Sequence, residues 1–315
     1  MNVKRRIALA GLAALLLPGL AHADIFEKVG TFGGQFLKIS VGARGAGMGG
    51  AFVAVADDAS AVFWNAAGIA RVDPDKSQLS LNHANWPAEL SFDQVGYVFH
   101  MKKIPGAFAV HARSLSMQPM EVTTSFQPEG TGEHFDAGMV AAGVTYARSF
   151  TDKFSAGLTL NMIHTGLADL SQQTFSVDLG TLYDVGAAGM KIGMAIQNIG
   201  SQERFIEREA RIPSIFRVGT SATLLQSADQ KLVGAFEFSH PPDNSERVNV
   251  GAEYGFRRYV FLRGGYAFNY DAEGLAGGVG FHFPVSVAGM ADLDYSYTDM
   301  LDLGASHRFS LRFQF

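Results

Sequence analysis

The run His307-Arg308-Phe309-Ser310-Leu311-Arg312-Phe313-Gln314-Phe315 alternates apolar and polar residues to its last position. A strand sends successive side chains to opposite faces, so Phe309, Leu311, Phe313 and Phe315 share one surface, and Arg308, Ser310, Arg312 and Gln314 share the other. A soluble domain rarely finishes on an aromatic-rich strand with no polar tail. The closing strand of an outer-membrane barrel does, because it pairs with the first strand to seal the wall. The terminal aromatic also resembles the signal read by the barrel-assembly machinery. Phe309, Leu311, Phe313 and Phe315 are therefore expected to serve in assembly as well as in closure.

Upstream of this run the same pattern repeats. Strands are predicted over 77–83, 90–101, 106–117, 135–150, 153–166, 173–184, 189–199, 213–225, 231–239, 247–257, 259–270, 274–283, 285–297 and 303–315, about fourteen in all. That number is even, as single-chain bacterial barrels require, and most segments have the length a tilted strand needs to cross hydrocarbon. In one of them Val248, Val250, Ala252, Tyr254 and Phe256 oppose Asn249, Gly251, Glu253, Gly255 and Arg257. Connections are expected to alternate in length, with tight periplasmic turns near 103–105, 151–152, 185–188, 226–230, 257–258 and Pro284. Longer outer loops are expected at 118–134, 200–212 and 240–246. A periplasmic sandwich or a propeller predicts neither this alternation nor a closing strand. The fold class expected is an all-β, antiparallel transmembrane barrel.

The other end of the chain agrees. Lys4, Arg5 and Arg6 precede an apolar stretch over 7–20, and Ala21-His22-Ala23 follows as a small-x-small site. Residues 1–23 thus read as a signal peptide, with export to the outer membrane of a Gram-negative bacterium expected. The stretch is too short for a spanning helix, and Pro18 interrupts it. The chain has no cysteine, which removes disulfides, thiolate metal sites and a lipoprotein anchor. A net charge of -5 is too mild to imply nucleic acid as a partner. Outer-membrane lipid is the first partner expected.

Two groups of residues stand out as candidate sites. Arg217, Glu237, Glu253, Arg263, His282, Asp292, Asp294, Arg308 and Arg312 all fall on the polar face of successive strands, as a lumenal ladder would. A structural ladder is the favoured reading, and a solute-selecting constriction the alternative. The second group lies in 24–72, ahead of a barrel placed at 73–315. Its run Gly42-Ala43-Arg44-Gly45-Ala46-Gly47-Met48-Gly49-Gly50 suggests a nucleotide-binding turn, but no clean strand precedes it and no suitably spaced acid follows. No cofactor is expected. Asp57 or Asp58 is a good N-cap for a short helix from Ala59 to Trp64, with Gly68 able to end it. About fifty residues with few charges are too few to fold alone. They are expected to form a hatch or plug inside the lumen.

The glycine run, followed by Ala56-Asp57-Asp58-Ala59-Ser60 and Phe63-Trp64-Asn65-Ala66-Ala67-Gly68, resembles the N-terminal signature of PorV/PorQ-type proteins. These share a superfamily of fourteen-stranded barrels with FadL-type transporters of hydrophobic compounds. The family usually has Asn-Pro-Ala-Gly where this chain has Asn65-Ala66-Ala67-Gly68. The resemblance implies an outer-membrane factor that assists secretion by binding cargo or a secretion-system protein. Loop aromatics Phe126, Phe135 and Phe205 are candidate anchors for that partner. The alternative it implies is passive uptake of fatty acids or other hydrophobic small molecules. An interrupted strand near 113–117, ahead of Pro119, would then open the wall, and Phe52, Phe63 and Trp64 would line a tunnel. No nucleophile elbow or metal-spaced histidine pattern occurs, and Ser306 and His307 point to opposite faces, so no enzyme is expected.

Overall fold

The computed structural model describes residues 31–205, 208–285 and 289–315, with backbone only for 203–205 and 208. The expected signal peptide, the first residues of the expected hatch and the side chain of Phe205 lie outside the described residues. Fourteen antiparallel strands close into one barrel. They are β1 (Gln78–Trp86), β2 (Leu90–Met101), β3 (Ile104–Ser116), β4 (Ala137–Ser149), β5 (Phe154–Leu167), β6 (Leu170–Asp184) and β7 (Lys191–Gly200). The second half comprises β8 (Ile215–Gln226), β9 (Gln230–His240), β10 (Arg247–Phe256), β11 (Val260–Phe268), β12 (Leu275–Val285), β13 (Gly289–Asp299) and β14 (Ala305–Gln314).

Closure occurs where the quoted run meets β1. Gln314 pairs with Gln78, Leu311 with Leu81 and Phe309 with His83. The backbones of Ser77 and Phe315 exchange two more hydrogen bonds, at 2.8 and 3.1 Å. No edge strand is left in the wall to recruit another chain.

The faces are inverted relative to a soluble protein. Val144, Leu160, Phe175, Leu262 and Phe309 are about half exposed on the outside, while Thr145, Thr159, Asn161 and Ser176 are buried inside. Such a wall fits hydrocarbon outside and a polar lining within. Near one rim Tyr97, Phe99, Phe108, Tyr146 and Phe315 form a chain of ring contacts with centroids 4.9–6.4 Å apart, as an interfacial girdle would.

The strands fall where the alternation places them, with shifts at the ends. β1 runs to Trp86 instead of 83, and β13 occupies Gly289–Asp299 instead of 285–297. Pro284 was expected in a turn, but it lies in β12 opposite Met290, next to the strand end where a missing donor costs least. Two outer connections, 117–136 and 201–214, are long, and each carries its own short hairpin. The outer connections at 87–89 and 168–169 are as tight as periplasmic ones. The outer connection 241–246 is no longer than the periplasmic turn 185–190. Length alternation therefore rests on two loops.

Residues 32–72 fill the lumen. They form a short helix α1 (Ala43–Gly47) and 3-10 turns at Gln35–Lys38, Ala59–Phe63 and Ala66–Arg71. Phe36, Phe52, Trp64 and Ile69 are at most 2% exposed, in one apolar cluster with Phe92, Val98, Ala109 and Ile163 of the wall. Burying each large side chain of this kind stabilises the fold by roughly 1.5–3 kcal/mol. The apolar core is thus shared between segment and wall, and neither has it alone.

Candidate functional site

Arg44 sits at the centre of the site. Gly42, with φ 77°, turns the chain into α1, and Arg44 then projects among three carboxylates, one from the wall and two adjacent ones from its own segment. Its Nε and Nη2 donate to both oxygens of Glu253 on β10, at 2.9 and 3.1 Å, in the bidentate geometry that suits a guanidinium. Its Nη1 donates to Asp57 and Asp58, each at 2.8 Å. Asp58 also caps the 3-10 turn, accepting from the Ser60 backbone N–H at 2.9 Å, and it pairs with Arg312 of β14. Asp57 caps nothing, so the cap expected at either aspartate belongs to Asp58.

From these residues of the inner segment the ladder continues along the wall. Arg263 bridges Glu253 at 2.7 Å and Asp294 at 2.6 Å. Arg312 bridges Asp292 at 2.9 Å, and His282 meets the other oxygen of Asp292 at 2.7 Å. A second unit joins Arg217 to Glu237 at 2.8 Å. The remaining oxygen of Glu237 accepts the backbone N–H groups of Phe52 and Val53 at 2.9 and 2.8 Å. Of the nine lumenal residues expected from sequence, seven are therefore brought into ion pairs, and His282 hydrogen-bonds to one of them. Arg308 is the exception: it donates to Thr298 at 2.7 Å and lies over the Trp86 ring at 5.5 Å.

Burial alone would raise the Asp58 carboxyl, but the Arg312 and Arg44 guanidiniums and the Ser60 hydrogen bonds hold it well below the usual carboxylate range. Burial likewise opposes the Arg44 charge, and Glu253, Asp57 and Asp58 more than offset it, so that guanidinium is held firmly protonated.

The other residues of the motif shape the backbone. Asn65 caps the turn Ala66–Arg71, accepting from Ala67, and its amide donates to the carbonyls of Val53 and Thr181 at 2.9 Å each. Gly68 lies inside this second turn and does not end the first. Ala66 occupies the first position after the cap, where proline is well tolerated, so the family's usual proline would suit the same geometry. Trp64 donates to the Val41 carbonyl at 3.0 Å and meets the Phe52 ring edge-on at 5.4 Å. Gly45 and Gly47 lie within α1, an element the glycine run did not suggest, and Gly50 follows it. Gly49 has φ 63°, and a Cβ there would come within 2.6 Å of the Tyr266 backbone nitrogen. Only glycine satisfies both limits.

Several contacts were not anticipated. The Asn249 amide donates to the Gly49 carbonyl at 2.6 Å, Gln78 accepts from Ala59 at 2.9 Å, and Ser310 accepts from Ala43 at 2.7 Å. Lys38 pairs with Asp243 at 2.8 Å. The three neutral side chains occupy polar positions of alternating strands, so parity alone could have nominated them.

The cavity between the segment and the extracellular ends of β11–β14 has a volume of about 10 Å³, room for one water at most. None of the described cavities is lined by Phe52, Phe63 or Trp64. From Ala107 the β3 ladder is unbroken to Ser116, paired with Ser91 and Gly138, so the strand is not interrupted over 113–116 ahead of Pro119. On the outer wall a groove of about 620 Å³ spans β13, β14 and β1–β4, with Leu81, Val95, Val140, Leu293 and Phe309 among its lining.

The family model of the type IX secretion system protein PorV matches residues 23–241. No curated protein matches the chain. Among solved structures, the Ralstonia pickettii toluene transporter TbuX superposes with a TM-score of 0.59 at 15% identity, covering 87% of this chain and 97% of that one. The Pseudomonas putida toluene transporter TodX gives 0.58 at 11% identity, covering 87% and 96%. A Pseudomonas aeruginosa FadL homologue gives 0.56 at 12% identity, covering 88% and 98%. At these identities the likeness is one of fold.

Proposed function

We propose, since the chain belongs to the PorV family of type IX secretion system proteins, that it is a non-enzymatic outer-membrane factor assisting protein secretion. It acts by holding a secretion-system protein or an exported cargo at the membrane. The observation that carries this reading is the packed interior: Phe36, Phe52, Trp64 and Ile69 of the inner segment are at most 2% exposed, in one cluster with wall residues, and Arg44 and Asp58 tie that segment to β10 and β14. Work must then be done by surfaces. Phe126 supports this, being 96% exposed in the loop 117–136. The hairpin Met120–Glu121 with His134–Phe135 and the Glu121 carboxylate, which accepts from Gly132 at 3.0 Å, give that loop a defined shape. A preformed exposed aromatic is a suitable anchor for a partner.

The test is purification of the native protein in mild detergent with identification of what accompanies it. A secretion-system protein or cargo in stoichiometric amount, lost on Phe126→Ala, is the expected result. Recovery of bound lipid alone would contradict it. The outer groove favours a second reading, uptake of hydrophobic small molecules with sideways passage through the wall. Uptake of such a molecule by liposomes bearing the purified barrel would support that reading, and its absence beside a bound protein partner would dismiss it.

A further inference from the structure

The rim that carries the aromatic girdle also carries the tight turn 102–103, and the long connections 117–136 and 201–214 leave from the opposite rim. Short turns mark the periplasmic side of such barrels, so this rim meets the inner leaflet of the outer membrane. A cavity of about 540 Å³ opens there, beside the turn between β2 and β3. Its lining includes His100, Lys102 and Lys103 against a single carboxylate, Asp75.

On this rim Lys76 lies 3.9 Å from Asp73 and Arg257 lies 3.5 Å from Asp229, whereas no ion pair of Lys102 or Lys103, two adjacent lysines, occurs among the described residues. Met101 and Ile104, paired across the same turn, are 42% and 45% exposed. The next pairs toward the membrane are His100–Ala107 and then Phe99–Phe108, where the girdle begins. Cation, exposed hydrocarbon and stacked rings thus follow one another along one edge, in the order of phosphate, glycerol and acyl chain in a lipid.

We propose that this cavity binds the head of an anionic phospholipid from the periplasmic leaflet. Lys102 and Lys103 take the phosphate, His100 completes the polar wall, and Met101 and Ile104 receive the start of an acyl chain. A free phosphate would leave the two apolar side chains without a role, so the source of the anion is a lipid. Each lysine near a charged leaflet favours an anionic lipid severalfold, so the pair should give a preference of roughly tenfold over a zwitterionic lipid.

The test is native mass spectrometry of the full-length barrel titrated with phosphatidylglycerol or phosphatidylethanolamine carrying the same oleoyl chains. Heat-dependent gel mobility confirms that each variant is folded. Wild type is expected to hold one phosphatidylglycerol roughly tenfold more tightly than phosphatidylethanolamine. Lys102→Gln with Lys103→Gln is expected to abolish that preference, and Arg257→Gln with Arg258→Gln to keep it. Met101→Ser with Ile104→Ser should weaken both lipids alike. Equal binding of the two lipids by wild type would overturn the proposal. So would a preference surviving the lysine substitutions, an equal loss from the arginine substitutions, or displacement of the lipid by equimolar inorganic phosphate.

Discussion

Strands β8–β14 and strands β1–β7 hold the same hatch by different means. On the β8–β14 side the grip is charge. Glu253 takes Arg44, Arg312 takes Asp58, and Asp243 in the loop after β9 takes Lys38. Among the described residues no ion pair joins the hatch to β1–β7. There close backbone approach stands without charge: a Cβ on Gly157 of β5 would stand 2.5 Å from the Ala66 carbonyl carbon, and one on Gly180 of β6 would stand 2.8 Å from the Ala66 nitrogen. On the β8–β14 side equally close approaches accompany the ion pairs, a Cβ on Gly251 or Gly265 standing 2.2 or 2.3 Å from Met48. Hydrogen bonds to neutral carbonyls complete the β1–β7 side, as where the Arg113 guanidinium donates to the Leu37 carbonyl and the Asn65 amide to that of Thr181. The charged side is built from groups that acid can silence. The β1–β7 side is held by close packing and carbonyl acceptors with no ion pair, a grip that pH and salt leave alone.

The largest effect is expected from Arg44→Met, which strands Glu253, Asp57 and Asp58 without their shared cation. Breaking one partner out of a buried network costs about 3–5 kcal/mol. The drop in the urea midpoint of the purified barrel measures it. Arg44→Lys should recover little, because an ammonium cannot reproduce the bidentate contact to Glu253.

Gly180→Val is expected to cost about 1–3 kcal/mol by overpacking against Ala66. That loss should be the same at low and high salt. A loss that salt changes would erase the distinction between the two sides.

Acid gives the third test. The folded-state pKa values of Asp58 and Asp243 lie below those of ordinary carboxylates. For Asp243, burial raises the value, and Lys38 and Gln35 outweigh it. Carboxylates shifted downward contribute stability that is complete above the unfolded value of about 3.9 and is lost as pH falls through the folded value. Hatch stability, followed by Trp64 fluorescence in a Trp86→Phe background, should be level from pH 7 to about pH 5 and decline below about pH 4. In Arg44→Met the decline should be shallower.

The smallest effect is expected from Lys38→Met, about 1 kcal/mol, since Gln35 still donates to Asp243 at 2.9 Å. Hydrogen exchange across 35–38 reads it.

These two grips were unequally legible in the sequence. The barrel could be read strand by strand, because lipid outside and polar lumen inside write a period of two into every segment. The charged grip was half legible: parity placed Glu253, Arg263, Asp292 and Arg312 on one face, yet nothing local said that Arg44 and Asp58 would join them. Those contacts span 209 residues for Arg44–Glu253, and register alone decides them. The glycine grip was the least visible. Gly157 and Gly180 look like weak strand residues until the backbone lying against them is known. The helix α1 was missed for a related reason, since Gly45 and Gly47 are poor helix formers held in place by packing. Of the loops, 117–136 and 201–214 announced themselves by length, whereas the tight outer turns at 87–89 and 168–169 had no such signal.

The most direct test uses the absence of native cysteine. A Cβ on Gly47 of α1 would lie 3.4 Å from the Ser296 Cβ of β13, close to the separation a disulfide requires. In the barrel carrying Gly47→Cys and Ser296→Cys, folded in the outer membrane, the expected result is a near-quantitative intramolecular disulfide, found as one linked peptide after digestion. A folded, heat-modifiable barrel in which both thiols instead react freely with maleimide would contradict a hatch stowed in the lumen.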